Sequence, residues 1–172
     1  MLRFISGFVA AFVVLALGAA IAVHFGLLPA RADEKPSSLE RTLARTALNA
    51  RIDREMPNPP YPFSSSDASV LAGAKAYMVH CAACHGSGVG AETAMAKGQY
   101  VHPPQLGKNG VDDDPEGETY WKIEHGIRFT GMPSYKDTLT EAEIWSIADF
   151  LKVPADKLPA AAAAVFNKPA SE

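Results

Sequence analysis

The chain has 172 residues, 48% of them apolar and 20% charged, a formal charge of −3, thirteen prolines, thirteen glycines and two cysteines. That length suits one core with appendages, and the acidic balance excludes a protein that reads nucleic acid through a basic stripe. Two cysteines make neither a disulfide framework nor a four-thiolate zinc site.

No Asp, Glu, Lys or Arg occurs between Phe4 and Ala30. Phe4 to Leu28 supplies 25 residues, and about 20 apolar residues in a helix cross a bilayer core. The apolar core of a secretory signal is about 7–15 residues, so residues 1–30 read as a transmembrane anchor. Ala30-Arg31-Ala32 has the small-x-small pattern of a cleavage site and keeps a cleaved signal as the alternative. His24, near the outer end, reads as an interfacial residue.

Residues 31–66 read as a helix followed by a Pro/Ser-rich linker. Ser37-x-x-Glu40 has the form of a capping box, and Leu39, Leu43, Leu48, Ile52 and Met56 keep one apolar stripe at helical spacing. Arg41, Arg45, Arg51 and Arg54 occupy the other faces. Six basic and five acidic residues here leave +1, too little for a polybasic lipid-binding tract. The stripe suits a helix on a membrane surface, a helix docking a partner helix, or a plain spacer. Pro57, Pro59, Pro60 and Pro62 break it, and Ser64-Ser65-Ser66 completes the linker.

Residues 67–157 read as the globular domain, with Asp67 placed to cap a helix whose apolar positions are Val70, Leu71, Ala74, Tyr77, Met78 and Cys81. The stretch from Gly86 to Gly117 is rich in Gly, Pro and Asp and shows no strand. Thr119–His125 reads as a short helix stopped by Gly126. Thr140-x-x-Glu143 is a second capping box, opening a helix with Ile144, Ile147, Ala148 and Leu151 on its buried stripe, with Trp145 and Phe150 adding bulk. Residues 158–172 read as an alanine-rich tail or frayed helix. No segment alternates with period two, so the fold class is all-α.

The two cysteines carry the chemistry. Cys81-Ala82-Ala83-Cys84-His85 is the C-x-x-C-H attachment signature of a c-type haem. Two thiols three residues apart near a helix end reach one ring edge and add across the two vinyl groups, and the next residue, His85, sits under the iron. A thioredoxin-like dithiol would follow a strand, and zinc would need two further ligands. Gly131-Met132-Pro133 lies 47 residues after His85 and offers a thioether as the second axial ligand. Such a neutral, soft ligand favours Fe(II) and raises the reduction potential. Met95, His102 and His125 are the other candidates for that position.

In order along the chain, these features resemble the class I c-type cytochromes: a helix with Gly73 and Tyr77 running into the attachment motif, Gly131-Met132-Pro133, and a later helix with Trp145 and Phe150. The resemblance covers about 90 residues and implies a haem domain preceded by a transmembrane helix and an amphipathic linker helix, with one covalent haem c per chain. It also implies a crossing of the two helices where Gly73 meets Phe150. Pro103-Pro104-Gln105-Leu106 resembles the family segment in which a proline carbonyl orients the proximal histidine. Pro104 would supply that carbonyl and Leu106 would pack on the porphyrin, although Pro103 replaces the usual leading glycine. Trp121 and Tyr135 are candidates to line the crevice or bond a propionate.

Residues 67–157 carry eight basic and thirteen acidic side chains, with five of the acids between Asp112 and Glu118. This balance predicts steering toward a basic partner, and the acidic loop also admits a calcium site. Haem attachment of this type occurs outside the cytoplasm, so the expected place is a bacterial inner membrane, single-pass, with the domain in the periplasm. The expected role is one-electron transfer between respiratory redox proteins, with no small-molecule substrate, because two protein ligands leave the iron no open position. The alternatives are an electron-transfer subunit of a larger membrane dehydrogenase or oxidase, a haem enzyme or gas sensor, and a zinc or thiol protein.

Overall fold

The computed structural model describes residues 2–57, 64–89 and 91–170; the linker prolines Pro59, Pro60 and Pro62 lie outside them. The chain divides into two compact units, Met1–Glu34 and Lys35–Glu172. The first contains helix α1 (Leu2–His24). Within it, Phe4–His24 has a mean hydropathy of 2.5 and none of it is buried, so by length and composition it can cross a membrane.

The second unit is helical, with no strand among the described residues: α2 (Ser38–Glu55), α3 (Asp67–His80), α4 (Ala82–His85), α5 (Ala94–Lys97), α6 (Leu106–Asn109), α7 (Glu116–His125), α8 (Glu141–Lys152), a 3₁₀ turn (Ala155–Lys157) and α9 (Ala160–Phe166). Its centre is the crossing of α3 and α8. Gly73 makes that crossing possible. A Cβ there would lie 1.9 Å from the Ser146 carbonyl oxygen and 2.8 Å from Phe150 Cβ. Val70, Ala74 and Tyr77 of α3 meet Ile144, Ile147, Ala148 and Leu151 of α8 in one buried cluster. Tyr120 of α7 stacks on Trp145 with ring centroids 4.2 Å apart.

The helix starts follow from side-chain capping. Thr140 and Glu143 form a reciprocal box, with Glu143 accepting from the Thr140 amide at 2.8 Å. For α3 the cap is Ser66, not Asp67. Ser69 accepts from the Ser66 amide at 3.0 Å, and Asp67 becomes the first helical residue, where its charge meets the positive helix end. The Ser69 hydroxyl also donates to the buried Asp149 carboxylate, tying the start of α3 to α8.

Two segments differ from their reading in the sequence. The stripe of α2 divides. Ile52 is 2% exposed and Leu48 and Met56 are half-buried, whereas Leu39 and Leu43 stand in solvent. The buried half packs on α7 of the same unit. Glu40 does not complete the expected box with Ser37, which accepts only the Glu40 amide; its carboxylate instead accepts from the Tyr100 hydroxyl at 2.6 Å. The segment from 158 is likewise not a free tail up to residue 166. Pro159 sits at the N-cap of α9, where a missing N–H costs nothing, and Ala162 and Phe166 are buried against α3. Phe166 closes an aromatic cluster with Tyr77 and Phe150, centroids 5.6 and 5.1 Å away.

Candidate haem site

The last turn of α3 delivers Cys81, whose amide donates to the Tyr77 carbonyl at 2.8 Å. The chain then resumes as the single turn α4, and the His85 amide donates back to Cys81 at 2.9 Å. Cys81 and Cys84 are therefore one helical turn apart, both half-buried and both free thiols. Burial, with a smaller contribution from Cys84, pushes the Cys81 thiol up to about 12. The Tyr77 hydroxyl donates to the Gly86 carbonyl at 2.7 Å and holds the end of the motif against the helix crossing.

His85 Nδ1 lies 2.9 Å from the Pro104 carbonyl oxygen. A carbonyl only accepts, so the proton is on Nδ1 and the lone pair is on Nε2. Burial lowers the basicity of the ring, partly opposed by this hydrogen bond, which favours the neutral imidazole that binds iron. Gln105 Nε2 donates to the Cys84 carbonyl at 3.0 Å and supports the same loop. Leu106 opens α6 and is half-buried against the main cluster.

On the other side, α7 ends at Gly126 (φ +66°) and leads into the loop that carries Met132. The Met132 carbonyl accepts from Ile127 at 3.2 Å and its amide donates to the Thr130 hydroxyl at 3.1 Å, closing a compact turn. Met132 is half-buried against the core. Two side chains bring this loop to the motif. The Tyr135 hydroxyl donates to the His80 carbonyl at 2.7 Å. Gln99 Nε2 donates to Cys84 Sγ at 3.1 Å, and its Oε1 would be 2.1 Å from a Cβ on residue 131, so this side chain lies against Gly131. Gln99 carried no sequence signal; the link arises only from the fold of loop 98–105. Of the other candidate ligands, Met95 is exposed on α5, His102 contacts Glu92, and His125 contacts Glu124.

Trp121 is buried, and its indole N–H is the one buried side-chain polar atom without a partner among the described residues. An unpaired buried donor is costly, so a missing acceptor is implied. These donors fit a haem. Two thiols one turn apart suit its vinyl groups, an imidazole with one fixed nitrogen and a thioether suit its iron, and its carboxylates offer an acceptor for the indole.

The acidic loop is partly neutralised. Lys122 pairs with Glu118 at 2.6 Å and Asp114 at 3.4 Å, and Lys152 donates to the Asp114 carbonyl at 2.8 Å. Among the described residues no group of three or more metal-ligating side chains is assembled, in this loop or elsewhere.

Residues 68–151, just under half of the chain, match the family model described as cytochrome C oxidase, cbb3-type, subunit III. No curated protein and no solved structure matches the chain.

Proposed function

We propose that the chain is a membrane-anchored, monohaem one-electron carrier, a reading supported by the match of residues 68–151 to a c-type cytochrome family model, a family that binds haem covalently. Residues 1–30 anchor it in a bacterial inner membrane, with residues 67–157 as the haem domain on the periplasmic side. When bound, the haem supplies Fe(III)/Fe(II) electron transfer at a single centre. Cys81 and Cys84 would form the thioethers, and His85 Nε2 and Met132 Sδ would ligate the iron. The Pro104 carbonyl fixes the imidazole tautomer, Leu106 packs beside the ring, and Trp121 donates to a ring carboxylate. With two protein ligands the iron would have no open position, which suits electron transfer and not turnover of a substrate.

The observation that carries this reading is His85, oriented by Pro104 one residue after two thiols spaced one helical turn apart. A second reading, an electron-transfer subunit of a larger membrane oxidase or dehydrogenase, is favoured by the exposed Leu39 and Leu43 on α2, an apolar half-stripe that a neighbouring subunit would cover. Reduced-minus-oxidised spectra of membranes from cells able to mature c-type cytochromes test the proposal. A sharp c-type band in the membranes, unmoved by carbon monoxide, is expected. A carbon monoxide shift would indicate an open iron, the same band only in the soluble fraction would indicate a cleaved signal, and no band would refute the haem assignment. A stoichiometric partner retained after mild detergent extraction would select the subunit reading.

A further inference from the structure

Helix α2 lies outside residues 68–151 and extends beyond the half that packs. Its C-terminal half is fastened to α7. Ile52 is buried there, and a Cβ on Gly117 would lie 2.7 Å from the Pro57 carbonyl oxygen. The N-terminal half buries no side chain, yet Glu40 accepts from the Tyr100 hydroxyl at 2.6 Å. Glu40 and Ile52 are twelve residues apart, about 18 Å along a helix, so α2 bridges from α7 to loop 98–105. Glu40 makes this bond in place of a local one. As the third residue of the helix it stands where a box with Ser37 would form, and its carboxylate turns instead to a residue sixty positions later.

Loop 98–105 is the segment that such a bond would steady. It belongs to no helix, and it supplies three contacts of the candidate site. Gln99 donates to Cys84 Sγ and lies against Gly131, the neighbour of Met132. The Pro104 carbonyl faces His85 Nδ1, and Gln105 donates to the Cys84 carbonyl. Tyr100 adjoins Gln99 in the chain, so a restraint on Tyr100 is a restraint on the backbone that aims Gln99. We propose that α2 is a strap for the candidate site, with Glu40 and Tyr100 as positioning residues. They hold loop 98–105 where Gln99 bridges Cys84 and Gly131, and so keep small ligands from the axial position assigned to Met132. The proposal rests on the electron-carrier reading and adds to it a task for a helix outside the family match.

The test uses the full-length, detergent-solubilised holoprotein and the variants Tyr100→Phe, Glu40→Ala and Glu40→Gln, the last of which keeps an acceptor. Amide hydrogen exchange over residues 98–102 reads the loop, and carbon monoxide added to the reduced protein reads the axial position. Loss of one hydrogen bond to a carboxylate shifts an opening equilibrium about tenfold. Tyr100→Phe and Glu40→Ala are therefore expected to exchange about tenfold faster over this loop and to bind carbon monoxide. Glu40→Gln is expected to stay native in both, and joining Tyr100→Phe to Glu40→Ala to add nothing to either alone. Native exchange in both single variants overturns the strap. Faster exchange without carbon monoxide binding makes α2 a brace only and overturns its role at the site. Absence of a c-type spectrum in the native chain, or carbon monoxide binding to it, overturns the six-coordinate carrier reading instead, and the exchange rates then decide the strap by themselves.

Discussion

Gly73→Ala separates two physical effects by sign. Helix propensity alone predicts a gain of about 1 kcal/mol, since alanine is the better residue in the interior of α3. The crossing predicts a loss. The new Cβ would sit 1.9 Å from the Ser146 carbonyl oxygen, about 1.5 Å short of ordinary contact at 3.4 Å, and that atom is backbone of α8 and cannot swing aside. The helices must separate or slide, loosening the buried Tyr77, Ile147 and Phe150 around the contact. Overpacking of this kind costs about 1–3 kcal/mol, and more where backbone is the obstacle, so a net loss of about 2 kcal/mol is expected after the propensity gain is subtracted. Denaturant melts of the holoprotein followed by far-ultraviolet circular dichroism would measure it, with unchanged slope and lower midpoint. A variant as stable as the native chain, or more stable, would refute the crossing as the determinant of this position.

Ile52→Ala removes the side chain that fastens α2 to α7, and a loss of about 2–3 kcal/mol in the same melt is expected; an unchanged midpoint would mean that α2 adds nothing to the stability of the unit. Glu143 is held below the usual carboxylate range by its hydrogen bonds to Thr140. Its folded value is the depressed one, so its contribution is present at neutral pH and fades as pH falls through the carboxylate range. The gap in melting temperature between the native chain and Glu143→Gln should therefore narrow between about pH 6 and pH 3. A constant gap would show that the charge of Glu143 plays no part. Trp121→Phe deletes the unpaired indole donor, and the reduction potential of the holoprotein should fall as a ring carboxylate loses a partner. Equal potentials would mean that the indole faces elsewhere.

The elements legible in the sequence were those with local causes. The attachment motif is contiguous, the Thr140 box lies within four residues, and α7 and α8 carry clear stops and stripes. Ser66 was hidden because Asp67, an equally good cap by type, stands next to it, and only backbone geometry selects between them. The docking of α2 was hidden because half a stripe has the same periodicity as a whole one; which half is covered depends on α7, more than sixty residues later. Alanines carry almost no amphipathic signal, so α9 read as a tail although Phe166 belongs to the core. In the site, His85 and Met132 stood out by motif, whereas Gln99 is an ordinary glutamine until the fold brings Cys84 to one end of its amide and Gly131 to the other.

The contact of Tyr77 with Phe166 joins residues 89 positions apart and closes the unit over the end of α3. A thioether forms through a nucleophilic sulfur, and in the closed fold Cys81 is a half-buried thiol with its ionisation pushed up to about 12. Before α8 and α9 pack on α3, that cover is missing, so in the haem-bound reading proposed above thioether formation would precede closure of the unit.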